Sequence, residues 1–205
     1  MAEAGSKRSK SKMTEGKSKR LKSAKAADGE TSAGNGSGSK EEKYTFFWRK
    51  DSPFSQWHPA KFTVDGLEYN CCEQYMMHQK AVMFADKEMG DDIMATEDPK
   101  TQKSLGRQVR NFDPDQWRDK CRGIVYDGNL AKFSQNEHLK EALFATKGTV
   151  LVEASPRDRI WGIGLGEKKA RQLGKDKWRG TNWLGYALTD VRETLMSQEK
   201  PTESD

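Results

Sequence analysis

The composition of this chain breaks near residue 42, and that break decides which part can fold. Residues 1–42 are mostly Lys, Ser, Gly, Ala and Glu, with no aromatic residue and almost no aliphatic one. Such a segment cannot bury enough apolar area to offset the entropy of ordering its backbone, so it is predicted to be disordered. Every aromatic side chain comes later, beginning with Tyr44. Residues 43–196 must therefore supply the core, and that length suits one domain of ordinary size. The polar end, Ser197 to Asp205, is predicted to fray.

Charge divides at the same place. The chain carries a formal net charge of +5, but residues 1–40 hold +6 and the remainder −1. The basic character belongs to the tail, which excludes a folded part that binds DNA through general charge alone. Two basic clusters, Lys7-Arg-Ser-Lys10 and Lys17-Ser-Lys-Arg20, would serve as an import address or as a loose handle for nucleic acid. A plain solubilising tail would have the same composition.

Cys71, Cys72 and Cys121 are too few and too oddly spaced for a disulfide framework, which points to a reducing compartment. No apolar run approaches the length of a membrane span, and the N-terminus lacks an apolar signal core. The expectation is an intracellular protein, in nucleus or cytoplasm if eukaryotic, with no membrane association and no obligate protein partner.

The pattern after residue 43 predicts a mainly α fold (α+β), multi-helical, with a few short strands. Tyr44-Thr-Phe-Phe-Trp48 is β-prone. Lys61 to Tyr69 reads as a hairpin turning at Asp65-Gly66. Helices are predicted over Cys71–Ala85, the first of them amphipathic, then Asp91–Ala95 and Thr101–Val109. Asp113 caps and Pro114 opens a helix running to about Ser134. Another spans Glu137–Ala145, and a last one runs from Asn182 to about Met196. Thr149–Glu153 is a strand, and Ile160-Trp-Gly-Ile163 is read as a second.

Several residues could carry chemistry. Asp158 precedes Trp161 by three positions, and Gly162, Gly164 and Gly166 alternate after it. A carboxylate, an aromatic face and close backbone approach suit a sugar or nucleotide. Glu73 and Lys80 are two helical turns apart and share a face, so an acid and an amine could meet one pocket. A solvated helix face would carry the same pair. Glu153 at a strand end, with Asp158 soon after, gives the paired carboxylates that glycosidic chemistry uses, although a strand-end acid also commonly pairs with arginine. The three histidines, at 58, 78 and 138, are scattered and no cysteine stands at ligand spacing to them, so neither metal nor cofactor is expected.

These motifs occur in a fixed order: Phe54-Ser55; Glu73-Gln-Tyr-Met-Met-His-Gln-Lys80; Gly106-Arg107; Trp117; Lys132-Phe-Ser-Gln-Asn136; Leu151-Val-Glu153; Ser155 to Gly164; and Gly180-Thr-Asn182-Trp-Leu-Gly185. The series resembles the NADAR family, named for a proposed link to NAD and ADP-ribose, over about Tyr44 to Leu195. The resemblance implies a compact, mainly helical fold and cleavage of N-glycosidic bonds. Two activities are associated with such proteins: removal of ADP-ribose from guanine bases of DNA, and hydrolysis of phosphoribosylamine intermediates of riboflavin biosynthesis. Both break a bond between a ribose anomeric carbon and an exocyclic amine. A non-catalytic ADP-ribose reader is the competing class, and it would not need Glu73 or Lys80.

By resemblance, Glu73, Lys80 and Asp158 are the expected catalytic groups. Lys80 would attack the anomeric carbon as a neutral amine, or else a carboxylate would activate water. Trp161 is expected to stack on base or adenine. Gly162 and Gly164 amides with Arg107 are expected to hold phosphate, and Phe54 and Asn182 complete the expected binding set. The chain departs from the family after Trp117, where Cys121 stands at a position that is often basic. ADP-ribosylated DNA or an ADP-ribosyl nucleotide is the expected partner.

Overall fold

A computed structural model describes residues 42–199; the two basic clusters and the last six residues lie outside them. The elements follow the order β1 (Tyr44–Phe47), β2 (Phe62–Val64), β3 (Leu67–Tyr69), α1 (Cys72–Met83), α2 (Lys87–Ala95), α3 (Pro99–Gly106), α4 (Pro114–Gln135), α5 (Glu137–Phe144), β4 (Val150–Glu153), α6 (Glu167–Leu173) and α7 (Trp183–Gln198). The mainly helical class with a few short strands is what the pattern predicted.

α1 is the central element. It packs against α2, α3 and α4, and its first six residues, Cys72 to Met77, are all buried. This overturns the amphipathic reading. A helix enclosed by three others buries every face of its first turns, so its sequence shows no clean stripe. Glu73 and Gln74 are thereby buried polar groups, and each must find partners.

β1 and β4 pair in parallel, Tyr44 opposite Val150 and Phe47 opposite Glu153. Alternation along β4 sends Leu151 into the main core, with Phe47, Phe54, Met76, Phe133 and Leu184. Val152 faces a smaller cluster with Ile163, Leu165 and Ala170. Arg192 of α7 is buried and steers the chain into β4, donating to the carbonyls of Thr146 (2.7 Å) and Thr149 (2.8 Å). The β2–β3 hairpin turns at Asp65-Gly66 as expected, both residues at positive φ (49° and 79°). Asp113 accepts the N–H groups of Asp115 and Gln116 and so caps α4 behind Pro114.

The structure departs from the sequence reading in two places. Ile160–Ile163 forms no strand. Its carbonyls instead meet the start of α7: Ile160 O, Trp161 O and Gly162 O accept from Trp183, Leu184 and Asn182. That pattern satisfies the open N–H groups of a helix start without a side-chain cap. The second is an omission: α6, Glu167–Leu173, follows the glycine-rich stretch in a part of the chain for which no element was predicted.

Candidate active site

Two loops, the end of β4 and the helices α1, α3 and α7 line a cavity of about 570 Å³, within the range of small-ligand sites. One wall is the segment Ser55-Gln56-Trp57. It is fixed from two sides. The ammonium of the fully buried Lys132 donates to the carbonyls of Pro53 (2.6 Å) and Ser55 (3.1 Å). Gln56 O accepts the backbone N–H of Glu73 at 3.0 Å, which ties the segment to the first turn of α1. Glu73 thus enters the cavity beside Trp57, whose indole N–H donates to Glu73 Oε2 at 3.0 Å. Burial raises the Glu73 carboxyl above its ordinary range, against the opposing pull of Lys103 and the Trp57 bond.

The opposite wall is the end of β4 and the loop after it. Glu153 is the last residue of β4, and its backbone is held on both sides. Its N–H goes to Asn182 Oδ1 (3.0 Å) and its carbonyl accepts from Ile163 N–H (3.0 Å). Its side chain lines the cavity, and its buried Oε2 has no hydrogen-bond partner among the described residues. Burial, with the charge of Asp158 nearby, pushes its pKa up to about 8. Asp158 lines the same cavity. Its Oδ1 accepts the N–H groups of Ile160 (2.9 Å) and Trp161 (2.8 Å). The three-residue spacing is therefore a turn in which the acid positions the backbone of the tryptophan. Trp161 borders the cavity and meets Trp183 edge-on, with ring centroids 5.8 Å apart.

The mouth has the opposite sign. Arg49, Lys50 and Arg157 are exposed and Lys103 half-buried, and all four line the cavity. Trp48 beside them is 43% exposed and carries the Arg49 guanidinium 4.7 Å from its ring centroid. An acidic floor under a basic, aromatic rim suits a ligand with a cationic reacting centre and anionic arms.

Of the residues expected from the sequence, Glu73, Asp158 and Trp161 line this one cavity. The others are placed elsewhere. Phe54 is a core residue, its ring against Phe47 and Phe133. Asn182, fully buried at φ 53°, spends both ends of its amide on β4: Oδ1 on Glu153 N–H and Nδ2 on the Leu151 carbonyl (2.9 Å). Gly164 gives its N–H to the Asp158 carbonyl at 2.8 Å. Gly162 is a close-packing position, where a Cβ would stand 2.9 Å from the Glu153 carbonyl. Neither glycine lines the cavity, and neither does the exposed Arg107. Lys80 donates to the Gly106 carbonyl at 2.7 Å and lies 3.9 Å from the Phe112 ring centroid. Gly106 packs against Met77, and Met77 rather than Lys80 faces the cavity. Burial lowers the Lys80 pKa.

Sequence reasoning weighed Glu153 without placing it among the expected site residues. It missed Gln56, Trp57 and Lys103 altogether. Only Trp57 carried a signal, as an aromatic within the Phe54-Ser55 neighbourhood.

The NADAR domain family model matches residues 46–196, nearly all that the structure describes. The chain belongs to the NADAR family. It is 42% identical over 163 residues to N-glycosidase R617 of Acanthamoeba polyphaga mimivirus, covering 74% of this chain and 96% of that protein. It is 35% identical over 174 residues to protein irg-1 of Caenorhabditis elegans, covering 77% of this chain and 82% of that one. Among solved structures, the NMR structure of YbiA from E. coli superposes with a TM-score of 0.64 at 25% identity, covering 80% of this chain and 93% of that chain. The mainly helical architecture around the β1–β4 pair is thus a NADAR fold.

Proposed function

We propose that this NADAR chain is an N-glycosidase that cleaves the bond between a ribose anomeric carbon and an exocyclic amine, with ADP-ribosyl guanine of DNA as its substrate. The N-glycosidase class rests on family membership and on the names of its relatives. The observation that carries the reading is the convergence of Glu73, Glu153 and Asp158 on one cavity with Arg49, Lys50, Lys103 and Arg157 at its mouth. Cleavage of an N-glycoside needs a proton for the departing amine and negative charge near an oxocarbenium-like ribose. A pyrophosphate needs cations, and a base needs a flat apolar face.

The roles follow from environment. Glu153 keeps its proton at neutral pH and gives it to the amine nitrogen as the carbon–nitrogen bond breaks. Glu73 or Asp158 takes a proton from water, and the hydroxyl adds to the anomeric carbon. Trp57 and Trp161 supply the apolar faces. Lys80 supports a second mechanism, attack on the carbon to form an imine, because burial favours its neutral form. Its ammonium is committed to the Gly106 carbonyl and lies outside the cavity lining, which favours the carboxylate mechanism.

The deciding experiment offers the protein guanine-ADP-ribosylated DNA and, separately, phosphoribosylamine intermediates of riboflavin biosynthesis. Release of ADP-ribose from the DNA alone is the expected result. Cleavage of the riboflavin intermediates alone would replace the substrate, and cleavage of neither would leave a binding module.

A further inference from the structure

Gln56 is a buried side chain, only 9% exposed, that lines the cavity and has no part in the chemistry above. Its amide orientation is fixed by a chain of hydrogen bonds. Asn129 Nδ2 donates to the Val125 carbonyl at 2.7 Å, an acceptor that leaves no choice of direction. Asn129 Oδ1 accepts from the Cys72 thiol on its other side. The same Nδ2 donates to Gln56 Oε1 at 2.9 Å. Gln56 must therefore present its NH2 away from Asn129. That nitrogen has no partner among the described residues, although it is fully buried. A buried donor without an acceptor costs free energy comparable to a lost hydrogen bond. A fully buried asparagine that enforces this orientation makes it a built feature of the site.

We propose that Gln56 Nε2 recognises the leaving group, donating to the ring nitrogen next to the amine-bearing carbon of a heterocyclic base. This rests on the N-glycosidase reading and adds which part of the substrate the site reads. The cavity lining holds one other orphaned polar atom, Glu153 Oε2, assigned above to the amine. An acceptor adjacent to that amine is the complement the pair requires. The chemistry agrees. When the carbon–nitrogen bond breaks, its electron pair moves onto the amine and spreads through the amidine unit to the ring nitrogen. A donor there stabilises the departing base more than the intact substrate. Guanine offers such a nitrogen beside its amine carbon, and a plain arylamine does not.

The test removes one atom from each side. Tryptophan fluorescence would follow binding of guanosine monophosphate and of its 3-deaza analogue, in which that ring nitrogen is C–H. Wild-type protein should bind guanosine monophosphate about tenfold more tightly than the analogue. Gln56→Met should bind both alike. Gln56→Glu keeps an acceptor for Asn129 but presents oxygen to the cavity, and it too should lose the preference. Equal binding of the two ligands by wild type, or a preference that survives in both variants, overturns the proposal. A preference that depends on Gln56 in a protein that cleaves no N-glycoside would leave the recognition standing and remove the enzymatic reading. Cleavage of guanine-linked ribose by a protein with no such preference would do the reverse.

Discussion

Asn182 holds Glu153 by the main chain, its Oδ1 accepting the Glu153 N–H at 3.0 Å. Its Nδ2 meanwhile holds the Leu151 carbonyl, two residues earlier on the same strand. The N-cap side chain of α7 is free to do this because loop carbonyls satisfy the helix start. Replacing Asn182 with Ala leaves a buried N–H and a buried carbonyl unpaired and puts a Cβ-only residue at positive φ. The expected loss is roughly 2–4 kcal/mol in urea unfolding, with loss of glycosidase activity.

Glu153→Gln should separate stability from function. In the folded protein the Glu153 pKa is raised to about 8, from an ordinary value of 4.5. Below about pH 4.5 the acid is protonated in both states and costs nothing. As pH climbs towards 8 the unfolded chain releases the proton while the folded one keeps it, so stability falls. The amide cannot ionise and removes that penalty. Gln at 153 should raise the melting temperature at pH 8 and change it little at pH 4.5, while lowering kcat by about 100-fold or more. A change in melting temperature on substitution that is the same at both pH values would contradict the buried, protonated acid.

Lys103 should set the alkaline limit of activity. Its charge favours the ionised forms of Glu73 and Glu153 and so opposes the rise that burial causes in each. Lys103→Met removes that opposition, and the alkaline limb of the kcat profile should move to higher pH. KM for a phosphate-bearing substrate should rise together with this shift, and less so at high salt, where the wild-type attraction is already screened.

Lys80 should remain unmodified when protein and substrate are treated with a hydride reductant. Its ammonium is hydrogen-bonded to Gly106 O and lies outside the cavity lining. Mass spectrometry of the peptide containing Lys80 would check this. A sugar adduct there, with inactivity of Lys80→Arg, would assign the bond-breaking step to the lysine.

What the sequence made legible followed from local chemistry. Asp113-Pro114 announced α4, and Asp65-Gly66 announced the hairpin, because caps and turns are encoded within a few residues. Glu73, Asp158 and Trp161 stood out as polar or aromatic groups in an ordered series of motifs, and one cavity gathers them. Gln56 and Lys103 were invisible because nothing about a glutamine or an exposed-looking lysine marks a wall formed by distant loops. Phe54 and Asn182 share the motifs with the site residues but serve the scaffold, one in the core and the other under β4. Ile160–Ile163 misled for a related reason. It is apolar and partly buried, yet its carbonyls are consumed by a helix start rather than by a neighbouring strand.

The parallel pairing of β1 with β4 joins segments roughly a hundred residues apart, and the Thr45–Thr149 hydroxyl contact spans 104 positions. A ribosome making this chain releases β1 first and must emit α1 through α5 before its partner exists. The helices can form locally in that interval, whereas closing so long a loop is slow. Phe46 and Phe47 remain without their strand partner until then, and Glu153 arrives on the segment that ends the wait. The cavity is thus among the last parts of the protein to assemble during synthesis, so a chain stalled before β4 carries α1 to α5 without Glu153.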